Sequence, residues 1–214
     1  MNLSKPMTTL IPTLEGEVLT VLAGASTDFS GLQVQKIIGK YSPRGVRDAL
    51  QRLAATGVVD RKPAGASDLY SLNTQHLLAK YIKSICNLRT EFIESLKQEV
   101  AAWQILPECA ALFGSAIRKD MSAESDVDIF VVRPDSIDFG FPIWRSQLAD
   151  ISSKVEKWTG NSVQIFELGQ GDISRELDSK NGVVYSIMEQ GVMFYGPSDY
   201  LRKLPHKYGK NLNV

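Results

Sequence analysis

Two aspartates at the start of an apolar segment are the residues best placed to do chemistry. Asp126 and Asp128 are separated by one residue and open the predicted strand Ile129–Val132. Side chains two positions apart on a strand leave the same face, so we expect the two carboxylates to lie close together. Like charges repel at that distance, and each carboxylate would tend to be protonated unless a cation lay between them. A hard divalent ion with oxygen ligands, Mg²⁺ or Mn²⁺, fits this pair.

A glycine-serine pair precedes the aspartates and follows the predicted apolar strand Ala110–Phe113. Gly114 has no Cβ, so its backbone can approach a phosphate closely. Ser115 adds a hydroxyl and could begin a helix whose amides face an anion. Arg118, one turn further, could neutralise phosphate charge, although it could instead pair with Glu124, and Ser115 could serve only as a helix cap. Together with the aspartates, these residues predict a site for a nucleoside triphosphate and a metal ion.

This stretch resembles the signature of the DNA polymerase beta-like nucleotidyltransferase superfamily, in which Gly-Ser is followed, after a short spacer, by Asp-x-Asp on the next strand. It is most similar to the minimal nucleotidyltransferase branch, and Ile187–Gly196 is similar to the Glu-x-Gly-x-x-x-Tyr-Gly ending of such domains. The resemblance covers residues 92–200. It implies that Gly114, Ser115 and Arg118 bind the triphosphate, that Asp126 and Asp128 bind Mg²⁺ or Mn²⁺, and that ATP is the first NTP to test.

The third carboxylate of that family falls on a polar amide in this chain. The predicted strand Ser162–Leu168 places Gln164 at the matching position, and an amide cannot accept a proton. Glu167 is an acid on the same strand, but its odd spacing from Gln164 predicts that it points to the opposite face. A β-bulge could rotate Glu167 back. The metal site therefore holds two or three carboxylates, and two would give either a slow enzyme or a nucleotide sensor.

The first seventy residues predict three short helices followed by a hairpin. Apolar residues recur with helical spacing in three segments, and two alternating segments flank a turn that contains Pro63 and Gly65. Ser42-Pro43 is typical of a helix N-cap followed by the first helical position. The segments are Leu14–Leu22, Leu32–Ile38, Val46–Leu53, Val58–Lys62 and Asp68–Leu72.

This order of elements resembles a winged helix-turn-helix domain, whose third helix enters the major groove of double-stranded DNA. The stretch Lys36–Lys62 carries seven basic and two acidic residues, which favours a polyanionic partner but is also compatible with a solvated helix face. The same fold can also serve only to bind a protein partner. The residues that the resemblance directs toward DNA are Ser42, Arg44, Arg47, Gln51, Arg61 and Lys62.

Residues 74–105 contain neither Pro nor Gly up to Trp103 and predict one long connecting helix that begins after Thr74. Its apolar stripe runs from Leu77 through Tyr81 and Phe92 to Val100, with steps of three and four. Two interpretations remain open, because the stripe could pack on both domains or form a coiled-coil homodimer.

The chain as a whole has 214 residues, 24 Lys and Arg against 24 Asp and Glu, and 43% apolar residues, which excludes disorder as its main property. It has no apolar run long enough to span a membrane and no signal-peptide pattern, so we expect a cytoplasmic protein. The cysteines, Cys86 and Cys109, predict buried free thiols rather than a disulfide. Neither His76 nor His206 has partners at metal-ligand spacing.

The predicted fold class is α+β: a winged helix-turn-helix domain (1–73), a connecting helix (74–105), a nucleotidyltransferase domain with a small mixed sheet (106–200) and a basic tail (201–214). The first functional hypothesis is an enzyme that transfers an NMP from an NTP to a hydroxyl on a protein, an RNA or a small molecule. A protein acceptor, as in toxin–antitoxin systems, is implied by the resemblance. The second hypothesis is a DNA-binding transcriptional regulator whose transferase-like domain only senses nucleotide or acts as an antitoxin-type partner.

Overall fold

The computed structural model describes residues 1–65, 67–118, 121–122, 124–177 and 182–204. The chain divides into two compact units, an N-terminal unit (Asn2–Thr90) and a C-terminal unit that begins at Glu91. The His206 position and most of the predicted basic tail lie outside the described residues.

The N-terminal unit contains the helices and the hairpin that the sequence predicts, together with a short first helix and a two-residue strand. Three antiparallel strands pair in the order β1-β3-β2, and the helices pack with them around one apolar core that includes Val18, Val46, Leu50 and Tyr70. The elements are α1 (Met7–Leu10), α2 (Leu14–Ala23), β1 (Phe29–Ser30), α3 (Gly31–Ile38), α4 (Pro43–Ala55), β2 (Val59–Ala64), β3 (Ser67–Leu72) and α5 (Ala79–Cys86).

Helix α4 begins where the sequence predicts. The Ser42 hydroxyl accepts a hydrogen bond from the Gly45 amide at 3.1 Å, and Pro43 occupies the first turn. The cap satisfies one of the amides that have no partner inside the helix, and proline has no amide to leave unsatisfied. Val46, Ala49 and Leu50 are fully buried, so α4 packs on the core with one face and exposes the other.

The prediction of one continuous helix from Thr74 is wrong. The segment forms α5 and a separate helix, α6 (Leu88–Ala101), with Asn87 between them. Asn73 accepts a hydrogen bond from the Gln75 amide, which forms an Asx turn that delays the start of the helix until Ala79. The Asn87 amide donates to both the Lys83 and the Ser84 carbonyls, as expected where a helix ends.

The coiled-coil interpretation of the same segment is also not supported. The stripe is discontinuous, since Leu77 is 86% exposed whereas Leu96 and Val100 are fully buried. Phe92 packs edge to face with Trp158, 6.5 Å between ring centroids, inside the C-terminal unit. The second half of the stripe therefore belongs to the core of that unit and is not available to a second helix.

The C-terminal unit is built on a small mixed sheet, in agreement with the predicted fold class. Its strands are β4 (Cys109–Phe113), β5 (Val127–Arg133), β6 (Val163–Gly169) and β7 (Val192–Tyr195), in the order β6-β5-β4-β7. β4 is antiparallel to both β5 and β7, whereas β5 and β6 are parallel. The parallel pair needs a crossover, which helix α7 (Pro142–Thr159) provides.

Helices cover both faces of this sheet. On one face, Phe130 and Val132 of β5 share a core with residues of α8 (Gln170–Leu177), α9 (Val183–Gln190) and α10 (Tyr200–Lys203). Glu167 is adjacent to Phe166 on β6 and so points to the other face, where it meets Trp144 of α7. The first face therefore carries the Asp128 side chain, since Asp128 and Phe130 are two positions apart on β5.

Two glycines near the end of the unit have structural roles. A Cβ on Gly196 (φ +80°) would lie 2.5 Å from the Glu108 carbonyl oxygen, and one on Gly191 would overlap the Ile187 carbonyl oxygen. Gly191 immediately precedes β7 and Gly196 immediately follows it, so the close backbone contacts at both ends of this strand, which pairs with β4, require glycine. This explains physically why a glycine stands at each end of β7.

Both cysteines are free, as predicted, with Cys109 buried and Cys86 half-buried. Burial raises the pKa of the Cys109 thiol to about 12, so this thiol is a packing group and not a nucleophile.

Candidate active site

The glycine-serine pair forms a tight turn against Asp128. β4 is buried over Cys109–Leu112 and ends in a single 3-10 turn, Gly114–Ala116. Gly114 has φ +65°, and a Cβ built on it would overlap the Asp128 carboxylate, 2.8 Å from its Cγ. The carboxylate therefore occupies the space that a side chain at position 114 would need, and only glycine satisfies both the backbone conformation and the contact.

Pairing between β4 and β5 places Asp128 at this turn. Phe113 and Asp128 are antiparallel partners, and the Ser115 amide donates a hydrogen bond to the Asp128 carboxylate. Asp126 lies just before β5 and is exposed, whereas Asp128 is half-buried. The two aspartates and the turn thus form one cluster at one end of the sheet.

The electrostatics of the cluster favour a bound cation. Burial and the neighbouring Asp126 charge raise the pKa of Asp128, while the Ser115 amide and the Arg118 charge lower it, and the net shift is upward. A raised carboxylate pKa means that the negative form of Asp128 is disfavoured in the metal-free protein. A divalent cation between the two aspartates would remove this cost, and oxygen ligands suit Mg²⁺ and Mn²⁺. The residues present therefore fit such an ion.

Ser115 and Arg118 both influence the pKa of Asp128, and the described residues from Gly114 to Arg118 form a single 3-10 turn, Gly114–Ala116, and not the longer helix considered for Ser115. The Ser115 hydroxyl lies 3.4 Å from the Asp126 carbonyl oxygen and caps no helix. Arg118 follows the turn, is exposed, and is close enough to Asp128 to lower its pKa.

Gln164 is the residue beside Asp128 on the parallel strand. The two are register partners, and Gln164 is exposed on the same face as Asp128. Among the described residues, no group of three or more His, Cys, Asp or Glu side chains could hold a metal ion. Within that part of the chain, the cluster has two carboxylates and one amide.

Glu167 does not complete the site. The register between β5 and β6 is continuous from Val127↔Val163 to Arg133↔Gly169, so the bulge that would rotate Glu167 is absent. The Glu167 side chain is 6% exposed and accepts hydrogen bonds from Arg133 Nε and Trp144 Nε1, both at 2.9 Å. It is a buried structural acid on the α7 face, and its partners are too distant in the chain for the sequence to have identified them.

The residues predicted to contact DNA lie in the N-terminal unit and fall into two groups. Arg44, Arg47 and Gln51 are exposed on α4, after the Ser42 cap. The strand cations are already paired, since Arg61 lies 2.8 Å from Asp68 and Lys62 lies 3.3 Å from Asp28. On α4, Arg44 lies 4.0 Å from Asp48 and is 90% exposed, so it is more accessible to a polyanion than Arg61 and Lys62, which are 50% and 63% exposed.

Comparison with known proteins supports the assignment of the C-terminal unit. Residues 98–198 match the family model described as "Polymerase beta, Nucleotidyltransferase". No curated protein and no solved structure matches the chain. Within the described part of the chain, no helix has the length and apolar character needed to cross a membrane. The match covers the Gly114–Ser115 turn and both aspartates, so residues 98–198 are similar to nucleotidyltransferase domains of the polymerase beta type.

Proposed function

We propose that the C-terminal unit transfers a nucleoside monophosphate from an NTP to a hydroxyl group, with Mg²⁺ or Mn²⁺ as cofactor. The observation that carries this proposal is the contact between the Gly114 turn and the Asp128 carboxylate. It brings a backbone suited to phosphate next to a carboxylate suited to a cation. A triphosphate with its metal ion needs both groups at one point.

Asp126 and Asp128 would hold the metal ion. When bound, such an ion neutralises phosphate charge, lowers the pKa of an attacking hydroxyl and stabilises the leaving pyrophosphate. Gly114 and Ser115 would accommodate the triphosphate tail with backbone amides and a hydroxyl, and Arg118 would offset part of its negative charge.

In the proposed reaction, the acceptor oxygen forms a bond to the α-phosphorus, the bond from that phosphorus to the bridging oxygen breaks, and pyrophosphate leaves. The acceptor proton has to leave as well. Gln164 cannot accept it, because an amide has no basic site at neutral pH. The proton would therefore pass to solvent, and turnover would be slow compared with that of an enzyme that has a carboxylate at this position.

The direct test is transfer of label. The protein is incubated with each α-³²P-labelled NTP in turn, starting with ATP, together with Mn²⁺ or Mg²⁺ and cell extract. We expect one acceptor to be labelled, and Asp126→Asn and Asp128→Asn to abolish the label. Asp150→Asn, an exposed residue on α7, is the charge-matched control and should retain it. Label that persists in both site variants would refute the assignment.

A second candidate function is a DNA-binding regulator whose C-terminal unit senses nucleotide without turnover. Gln164 favours it, because nucleotide binding does not require a base. The N-terminal unit supports it, because α3, α4 and the β2–β3 hairpin follow the order of a winged helix-turn-helix domain, and α4 exposes Arg44, Arg47 and Gln51.

Salt dependence distinguishes phosphate contacts from nonspecific changes. Arg44→Gln and Arg47→Gln should each weaken binding to duplex DNA and reduce the slope of log affinity against log salt by about 1. Arg52→Gln is the control, because Arg52 already pairs with Glu15 at 2.6 Å. Nucleotide-dependent DNA affinity without label transfer would favour the sensor, and an unchanged slope in both variants would rule out α4 as the DNA-contacting helix.

A further inference from the structure

Within the described part of the chain, the strand that carries Gln164 has no strand paired along its outer edge. β6 pairs with β5 on one side and is the terminal strand of the sheet. The Ser162 carbonyl accepts a hydrogen bond from the Val127 amide at 2.8 Å, so the peptide groups of Ser162 and Gln164 face β5. Because peptide groups alternate along a strand, those of Val163, Ile165 and Glu167 face outward. An unpaired row of this kind is a template for an added strand.

A groove runs beside this edge. It has a volume of about 400 Å³ and lies between β6 and one face of α7. Arg145, Leu148 and Ser152 line it from α7 at spacings of three and four, and Ile165 and Glu167 line it from β6. The groove therefore offers space for side chains next to the row of free peptide groups.

The end of the groove at Glu167 is positively charged and partly aromatic. Glu167 pairs with Arg133 at 2.9 Å and with Arg145 at 3.5 Å, so one carboxylate faces two guanidinium groups. Arg145 is 52% exposed and also lies over the Phe139 ring, 5.0 Å from its centroid. An acidic side chain would complement this end of the groove.

The same strand edge also passes the candidate active site, which lies on the opposite face of the sheet from the groove. Gln164 is next to Ile165 in the chain and beside Asp128 in the sheet. In a strand added to β6, the residue beside Gln164 would present its side chain on the Asp128 face. The residue beside Glu167, three positions away, would present its side chain on the α7 face near Arg145, because odd spacings alternate between faces.

We propose that the acceptor is a protein segment that binds as an extra strand along β6. It places a Tyr, Ser or Thr hydroxyl beside Gln164 and an acidic side chain, three residues away, beside Arg145. This inference rests on the proposed function and names the substrate class of the same site. The chemical step is the transfer described above, with the protein hydroxyl as the acceptor oxygen.

The test measures binding separately from turnover. The probes are fluorescein-labelled decapeptides of alternating Thr and Val that carry one Tyr. In the two test peptides, a Glu lies three residues before or three residues after the Tyr. In the comparison peptides, the Glu lies two residues from the Tyr or is replaced by Gln. Fluorescence anisotropy with the full chain gives the affinities. We expect one of the two decapeptides with Glu three residues from Tyr to bind about five- to tenfold more tightly than the comparison peptides. Equal affinities for all the peptides would overturn the proposal.

Variants of the edge test the backbone contacts. Ile165→Pro removes an outward N–H and leaves the bonds to β5 intact, which edge strands tolerate. We expect it to weaken peptide binding about fivefold, whereas Ile165→Val, which retains the N–H, should have no effect. Arg145→Gln should remove the preference for Glu. Unchanged binding in Ile165→Pro would contradict the added strand.

N-methylation of the peptide makes the test independent of whether the proline variant folds. Methyl groups on the amides that face β6 should abolish binding, and methyl groups on the alternate amides should not. The inference fails and the proposed function stands in two cases. In the first, the α-³²P label from the NTP is transferred to RNA in the extract. In the second, the label is transferred to a protein but none of the peptides binds. If peptides bind as expected and no label is transferred to any acceptor, the proposed function fails.

Discussion

A carboxylate introduced at position 164 should destabilise the metal-free protein but strengthen the binding of a divalent metal ion. Gln164 and Asp128 are register partners on parallel strands, which are about 4.8 Å apart. Gln164 is exposed, so a water-like dielectric applies, and two charges about 5 Å apart repel by about 1 kcal/mol. We therefore expect Gln164→Asp to lower the free energy of unfolding by about 1 kcal/mol in EDTA, relative to Gln164→Asn.

With a divalent ion bound, the same charge becomes favourable. A carboxylate about 4 Å from a doubly charged ion gains about 2 kcal/mol in a water-like dielectric, which corresponds to about 30-fold tighter binding. Gln164→Asp should accordingly bind Mn²⁺ about 30-fold more tightly than Gln164→Asn, and it should transfer label faster if the site is catalytic.

Two assays measure these effects on the same pair of variants. Thermal or urea denaturation in EDTA gives the stability difference, and titration calorimetry with Mn²⁺ gives the affinity difference. Equal stability in EDTA together with equal Mn²⁺ affinity would show that position 164 does not face the cluster, and the proposed metal site would be refuted.

Three further variants test other parts of the site. Asp128→Asn removes repulsion from Asp126 and should raise the stability of the metal-free protein by about 0.5–1 kcal/mol while abolishing Mn²⁺ binding; lower stability in an EDTA melt would contradict the upward pKa shift. The pKa of Asp128 is higher in the folded than in the unfolded protein, so its contribution to stability is present at low pH and is lost as pH rises between the unfolded-state and folded-state pKa values. Asp128→Asn should therefore remove this pH dependence of stability in EDTA melts. Gly114→Ala must place a Cβ against the Asp128 carboxylate at positive φ and should weaken NTP binding at least tenfold in a filter assay, with wild-type affinity as the contrary result. Glu167→Gln leaves Arg133, which is 15% exposed, without its full partner and should destabilise the fold by about 2–4 kcal/mol in urea, whereas the metal affinity of the folded protein should be unchanged if Glu167 is only structural.

The sequence predicted those features that depend on neighbouring residues. The Ser42-Pro43 start of α4 follows from capping chemistry within one turn. The position of the Gly114–Ser115 turn between two apolar strands also follows from local pattern. In both places, local preference and tertiary packing agree.

Other features depend on contacts between distant residues or on competing local bonds. Glu167 accepts hydrogen bonds from Arg133 and Trp144, which lie 34 and 23 positions away in the chain. No local sequence pattern therefore identifies Glu167 as a structural acid. The predicted helix start after Thr74 was wrong because the Asn73 side chain accepts a hydrogen bond from the Gln75 amide, a local bond that apolar periodicity does not reveal.

The predicted basic surface illustrates the same limit. Charge counting gives every cation in Lys36–Lys62 equal weight. The fold pairs Arg61 with Asp68 and Lys62 with Asp28, an acid 34 positions away. Only the three-dimensional arrangement shows that these two cations have acidic partners on other segments, whereas Arg44 has its own-helix neighbour Asp48 at 4.0 Å.

The most direct test of the proposed site is a crystal structure with Mn²⁺ and a non-hydrolysable NTP, with anomalous scattering used to locate the metal. We expect Mn²⁺ bound by the Asp126 and Asp128 carboxylates and the triphosphate against the Gly114–Ser115 turn. Manganese absent from this cluster at saturating nucleotide, or a triphosphate bound away from the turn, would contradict the central claim.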